Sequence, residues 1–217
     1  MKLKLDLHVH TDSSEDAFTP MGQALETAER RGLDGLAITD HDKVLGSGFR
    51  SLKGEVIVIP GIELSTQHGH VLGLGVETWD ASKPQSLIEA VQIIHERGGL
   101  AVLAHPYLSS LHIPRLIEIS EVGFNALEAV NASAYLFWLS RKLALNTARR
   151  LSLPITAGSD SHIPETIGKA YTVIDSRSRE VEDILDAIKN GRTEVFGHGL
   201  SLWHRLSKLN LQLRGSR

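Results

Sequence analysis

The chain has 217 residues, 41% of them hydrophobic and 23% charged, which suits one globular domain with a sizeable core, or one domain with a small appendage. A formal charge of −3 argues against a general nucleic-acid binder, and the absence of cysteine excludes disulfides, thiolate metal sites and cysteine nucleophiles. With no long apolar run and no signal-peptide pattern, the expected location is cytoplasmic with no membrane span.

In chain order, LKLDL (3–7) predicts a first strand, and it leads into DLHVHTDSSED (6–16). Thr19-Pro20 predicts an N-cap and first-turn proline, with Met21, Leu25 and Ala28 as an apolar stripe and Gly32 just past the helix end. LAIT (36–39), VIVIPGIEL (56–64) and VLGLGV (71–76) read as buried strands. A second helix is expected from Pro84, with Leu87, Val91 and Ile94 on one face and Gly98 as its stop. The strands LAVL, ALEAVN (126–131), the apolar run before GSDSH (158–162) and YTVI (171–174) complete the set. ERRGLDGLAITDH (29–41), ERGGLAVLAHP (96–106) and RRLSLPITAGSDSH (149–162) repeat one plan, from a basic segment through an apolar strand to histidine. Strands alternating with helices predict an α/β fold with a largely parallel sheet. Polar groups at several strand ends fit a closed or nearly closed barrel better than an open sheet. Leu202, Leu206, Leu209 and Leu213 form a helical stripe in a tail without acids (201–217), expected to pack or self-associate.

Eleven histidines are the informative residues. In a strand, alternate side chains share a face, so His8 and His10 should point the same way. Two neutral imidazoles fill a core poorly and two charged ones repel, and a metal relieves both problems. TDHD (39–42) sets His41 at a strand end, although Thr39, Asp40 and Asp42 also suit a loop that satisfies backbone N–H groups. Glu63 follows an apolar strand, where a lone carboxylate is costly unless paired or metal-bound. His105 and then Asp160 with His162 repeat the placement. Of His68 and His70, His70 leads directly into a strand and is the better candidate. His95 falls within a helix, and His112, His198 and His204 have no strand-end context and read as surface or structural residues.

Taken together, DLHVHTDSSED, TDHD, GIELS, HVLG, AHP, ALEAVNA and GSDSH followed by IGKAYT resemble the PHP (polymerase and histidinol phosphatase) family of metal-dependent phosphoesterases. The resemblance runs in order over about residues 4–197. It implies a distorted (β/α)7 barrel over residues 1–200, with a metal site at the C-terminal ends of the strands and 201–217 as a basic amphipathic appendage. It also implies a trinuclear site of Zn, Mn or Fe. His8, His10, Glu63 and Asp160 would hold the first metal. Glu63 would bridge to a second, shared with His70 and His105, and Asp16, His41 and His162 would hold the third. In the register of many relatives Glu15 takes the place of Asp16.

The implied reaction is hydrolysis of a small phosphate monoester by a metal-bridging hydroxide, with Glu63, Asp160 and His162 as catalytic groups. Lys43, Tyr107, Asn131 and Lys169 are candidates to touch substrate. The alternatives are a phosphodiesterase or exonuclease acting on nucleotides or oligonucleotides, a metal-stabilised binding module without turnover, and an amidohydrolase. Near-neutral charge and the lack of a basic, aromatic-rich groove count against long nucleic acids. The amidohydrolase reading lacks the lysine or carboxylate arrangement it usually needs.

Overall fold

The computed structural model describes residues 1–44, 56–80, 82–107 and 121–215. The elements are β1 (Lys2–Val9), α1 (Met21–Arg30), β2 (Gly35–Ile38), β3 (Ile57–Thr66), β4 (Gly69–Leu74), α2 (Leu87–Glu96), β5 (Leu100–Leu103), β6 (Ala126–Asn131), α3 (Phe137–Leu151), β7 (Ile155–Gly158), β8 (Ala170–Asp175), α4 (Val181–Lys189), β9 (Thr193–Gly197) and α5 (Leu202–Gly215). They form one sheet in the order β7-β6-β5-β4-β3-β2-β1-β8-β9.

The sheet curls until the end of β7 meets β1. There Asp160 N donates to His8 O at 2.9 Å, and His10 N donates to Ser161 O at 2.9 Å. Strand β8 occupies the other half of that edge, pairing antiparallel with Lys2–Leu5. The result is the expected distorted seven-stranded barrel, with β8 and β9 as an antiparallel extension.

The sheet is less parallel than the strand–helix alternation predicts. β1, β2 and β3 are parallel, as are β5, β6 and β7, but β4 runs against both its neighbours. A tight turn at 66–69 causes this, with Gly69 at φ 132° and the Thr66 hydroxyl donating to the Gly69 carbonyl at 2.7 Å. The inversion places the start of β4, and so His70, beside the end of β3.

Two register shifts shape the same end of the barrel. Between Asp6 and Val9, three residue steps of β1 match two of β2, a bulge that reverses which side of the strand odd positions face. Leu3, Leu5 and Leu7 accordingly pack with Ile59, Leu72 and Val102, whereas Val9 packs with Ala24 and Ala28 of α1. A second shift between Glu128 and Val130 offsets β6 from β7. Each fully buried leucine of β1 contributes about 2 kcal/mol of transfer free energy.

The helix caps differ from expectation. Pro20 is the N-cap of α1 with no side-chain hydrogen bond, so Thr19 does not cap it. Ser86, not Pro84, caps α2, its hydroxyl accepting from Glu89 N at 3.2 Å. The stops hold, with Gly32 at φ 60° and Gly98 at φ 72°. The tail is helical as expected, but Leu202, Leu206 and Leu209 are more than half exposed. The Leu213 side chain lies outside the described residues.

Gly158 closes the barrel against β1. A Cβ on it would sit 2.3 Å from His8 Cβ and 2.8 Å from His8 N, a backbone clash that cannot be relieved by a rotamer. Gly158→Ala is therefore expected to lower unfolding free energy by about 2–4 kcal/mol, read as a fall in the urea midpoint at constant slope. A change below about 0.5 kcal/mol would show that this end of the barrel is loosely packed.

Candidate metal centre

Every strand end that carries a candidate ligand opens into one cavity of about 530 Å³, whose walls include Asp16, His41, Glu63, His70, His105, Asp160 and His162. At its floor Glu63 is fully buried. The imidazoles of His70 and His105 each lie 2.9 Å from its Oε1. On the other oxygen converge His41 Nδ1 at 3.1 Å, His10 Nε2 at 3.2 Å and His8 Nε2 at 3.3 Å. His8 and His10 point the same way, as strand alternation predicts, with their Nε2 atoms 3.2 Å apart. Asp160 Oδ1 lies 3.5 Å from His10 and 3.7 Å from His8. Beyond them, His162 Nε2 is 2.9 Å and His41 Nε2 3.8 Å from the Asp16 carboxylate. The side chains that the resemblance implies are thus brought into one cluster. The groups close enough to share an ion are His10 with His41 and His162, His8 with His10 and Glu63, His8 with His105 and Asp160, and His41 with Glu63 and His70. They divide the cluster differently from the three implied sets.

The ambiguities have plain geometric outcomes. Asp16 faces the cavity while Glu15 is exposed, and His68 sits exposed in the 66–69 turn while His70 faces Glu63. The four substrate candidates do not line the cavity. Tyr107 is buried with its hydroxyl 2.5 Å from Thr147. Asn131 lies behind Asp160, donating to Glu128 at 3.0 Å and to Asp160 at 3.3 Å. Lys43 is exposed and bonds the Ser13 carbonyl at 3.2 Å, and Lys169 is half-buried with Arg31 nearby. His95 bonds Asn125 and His198 is exposed, whereas His112 lies outside the described residues. His204, expected at the surface, lines the cavity from α5 together with Arg205 and Lys208.

A layer of buried anions behind the histidines fixes their orientation. His8 Nδ1 is 3.0 Å from Glu128 Oε1, His10 Nδ1 is 3.3 Å from Ser14 Oγ, and His162 Nδ1 is 3.0 Å from the Asp160 carbonyl. With Nδ1 anchored, the His8 and His10 rings turn Nε2 toward Glu63 and Asp160 and the His162 ring turns it toward Asp16, the arrangement that suits a metal ligand. Glu128 also accepts His105 N at 2.9 Å. Asp40 accepts from Thr11 N, the Thr11 hydroxyl and the Ser14 hydroxyl at 2.6–2.8 Å. Asp42 accepts Ser65 N at 3.0 Å, so TDHD serves both its site and its loop roles. Asp6 accepts Ser159 N and Gly168 N at 2.8 and 2.7 Å. Sequence reasoning missed Glu128, Asp6 and Ser14. The signal available was an acid inside an otherwise apolar strand, in ALEAVN and in LKLDL.

Positive-φ residues other than glycine gather here. Three of the four in the described chain are Asp42, His105 and Asp160, at 52°, 25° and 53°. Each such position costs of order 1 kcal/mol and is held by its surroundings. His105 is further restricted by Pro106.

The electrostatics are those of a site built for cations. Burial works against charge at His8, yet Glu128, Glu63 and Asp160 outweigh it and hold the imidazolium well above its ordinary range. His10 is likewise buried, and Asp160 and Glu63 push it up to about 9. His105 is raised against its burial by Glu63. His41 goes the other way, to about 4, through burial and the neighbouring His10 and His162. Burial opposes ionisation of Glu63 and Asp160 too, but the surrounding imidazoles hold both well below the carboxylate range. Asp6 is lifted by burial to about 6. Three buried polar atoms, Asp16 Oδ1, His41 Nδ1 and Glu63 Oε2, have no hydrogen-bond partner among the described residues, and all three face this cluster. An all-nitrogen-and-oxygen donor set with such orphaned atoms fits divalent transition metals.

Two outcomes are expected. At pH 7.5 His10, pushed up to about 9, carries a proton that a metal must displace, and the upward shifts of His8 and His105 act in the same direction, so loading should release protons. Calorimetry in buffers of different ionisation enthalpy reads the number of protons released, which should decline above pH 9 as His10 deprotonates. Zero release would contradict the assignment of these imidazoles. Glu128→Gln should weaken zinc binding by about 10–100-fold in chelator competition, and an unchanged affinity would show that His8 needs no anchor.

The molecule has counterparts among known proteins. The PHP-associated family model (PHP_C) matches residues 138–193. A phosphoribosyl 1,2-cyclic phosphate 1,2-diphosphodiesterase from Eggerthella lenta is 43% identical over 81 residues, 33% of this chain and 30% of that protein. A probable phosphatase from Shewanella piezotolerans is 25% identical over 225 residues, 86% of this chain and 90% of that protein. A two-domain Bacteroides vulgatus protein containing a predicted PHP-like metal-dependent phosphoesterase superposes with a TM-score of 0.72 at 18% identity. That match covers 91% of this chain and 65% of the other. The ordered motifs, the curled sheet and the matched segment agree: residues 138–193 match the PHP-associated model, and the chain has the fold of a PHP-like metal-dependent phosphoesterase.

Proposed function

We propose that this chain hydrolyses small phosphate monoesters on a cluster of three divalent ions, zinc, manganese or iron. The observation that carries the proposal is Glu63, a fully buried carboxylate with five imidazoles within 3.3 Å. A carboxylate so placed can share its two oxygens between neighbouring cations. His8, His10 and Asp160 would hold the first ion with it, His70 and His105 the second, and Asp16, His41 and His162 the third. Bound there, the ions lower the pKa of a coordinated water and clamp the attacking and leaving oxygens in line.

The protein's own groups do the rest. Glu128, Ser14 and the Asp160 carbonyl keep three Nε2 atoms aimed inward, so little reorganisation is needed as charge moves. His41, held neutral at physiological pH, binds without first losing a proton. The cations of the full set exceed the charge of Asp16, Glu63 and Asp160, leaving a surplus that a phosphate dianion neutralises.

The cavity walls support a compact substrate. The α5 helix bounds the cavity with His204, Arg205 and Lys208, which suits a compact ester better than a continuous strand. Among the described residues no helix is long and apolar enough to cross a membrane. Hydrolysis of a small phosphodiester is the second reading, supported by the local likeness to the Eggerthella lenta diesterase.

A panel of phosphomonoesters, cyclic and linear diesters and amides, assayed with manganese, zinc and iron(II), tests the proposal. Monoesters should be cleaved, with His105→Ala and Asp160→Asn at least about 100-fold lower in kcat/KM. Cleavage of diesters in preference would install the second reading. No phosphoester hydrolysis, or variants as active as the parent, would contradict both.

A further inference from the structure

The C-terminal helix α5 is the part of the cavity wall that does not belong to the barrel. Its anchors are few and polar. Arg205 donates to the Ser133 and Ala134 carbonyls at 3.0 Å each and stacks over the Tyr135 ring at 4.6 Å. Just before the helix, Leu200 N bonds the Ala132 carbonyl at 2.9 Å. One turn beyond Arg205, Lys208 Nζ reaches Asp16 Oδ2 at 3.3 Å, the same carboxylate oxygen that His162 Nε2 meets at 2.9 Å. Residues 201–217 contain no acid, and among the described residues Asp16 is the anion that Lys208 contacts. Lys208 thus leans on a group that the proposed reading commits to a cation.

An ammonium and a divalent ion on one carboxylate repel each other. When Asp16 takes a cation, Lys208 loses its partner while Arg205 still holds the helix in place. Lys208 lines the same cavity that a phosphate would enter. The geometry points to Lys208 as a substrate-binding residue. Its ammonium leaves Asp16 for a non-bridging phosphoryl oxygen, and α5 is a cationic cap that admits compact phosphate esters. This inference rests on the phosphoesterase reading and adds to it a specificity element that the barrel motifs do not contain.

Inorganic phosphate titrated calorimetrically into the metal-loaded full chain is the direct test, with Lys208→Met and Lys208→Arg alongside. A charge-assisted hydrogen bond predicts phosphate binding about tenfold weaker in Lys208→Met, with Lys208→Arg within about threefold of the parent. Chelator competition should show the metal affinity of Lys208→Met equal to or about threefold tighter than that of the parent, because a competing cation has been removed. A merely structural role would instead weaken metal and phosphate binding together, and that result overturns the inference. So does phosphate affinity that is undetectable in the parent or unchanged in Lys208→Met. If the parent cleaves esters while Lys208→Met keeps its KM and phosphate affinity, the cap assignment fails and the hydrolase reading stands. If Lys208→Met weakens phosphate binding as expected but no ester is cleaved by the parent, the hydrolase reading fails and the cap assignment stands.

Discussion

The structure turns on one buried carboxylate. Glu63 is fully removed from solvent at the end of an apolar strand, where an isolated charge would cost several kcal/mol. Five imidazoles offset that cost by converging on its two oxygens. They come from β1, the loop after β2, the start of β4 and the loop after β5, so each of these segments must end at the same depth. Their own mutual repulsion is balanced by the carboxylates of Glu128 and Asp160. On the proposed reading, the same cluster becomes a ligand set once its protons are exchanged for cations.

The barrel serves this convergence through departures from regularity. The turn at 66–69 inverts β4 and presents His70 where a parallel strand would present its tail. The bulge in β1 turns Val9 toward α1. The offset of β6 brings Glu128 behind His8, and Gly158 lets β7 approach close enough for that contact. Strained backbone at Asp42, His105 and Asp160 marks where the chain is held for the site's geometry and not for its own preference.

Much of this was legible in the residues, and the remainder has physical reasons for being hidden. Histidines at strand ends carry a local signal, because imidazole is an unusual choice beside an apolar run, and ordered motifs tie them to one family. Strand positions were readable from apolar runs, and the helix stops from Gly32 and Gly98. Strand direction was not, since the inversion of β4 depends on the two-residue turn at Gln67 and His68, in a short polar stretch between two apolar runs that alternation of strands and helices does not express. Glu128 escaped because its partner lies 120 residues away, a separation that local patterning cannot express. The α5 helix misled for a related reason. Its leucine stripe suggested a buried face, but Leu202, Leu206 and Leu209 stay more than half exposed, and the helix is tied down by Arg205 on the Ser133 and Ala134 carbonyls and by Lys208 on Asp16. Tyr107 was drawn from the site into the core by Thr147.

The central claim is that this one cavity holds a cluster of metal ions organised around Glu63. Anomalous diffraction from crystals of the manganese- or zinc-loaded protein, collected at the metal's absorption edge, tests it most directly. The account predicts three peaks: one between His8, His10, Glu63 and Asp160, one at His70 and His105 on the other Glu63 oxygen, and one at Asp16, His41 and His162. Peaks confined to other residues, or an empty cavity in fully loaded protein, would contradict it.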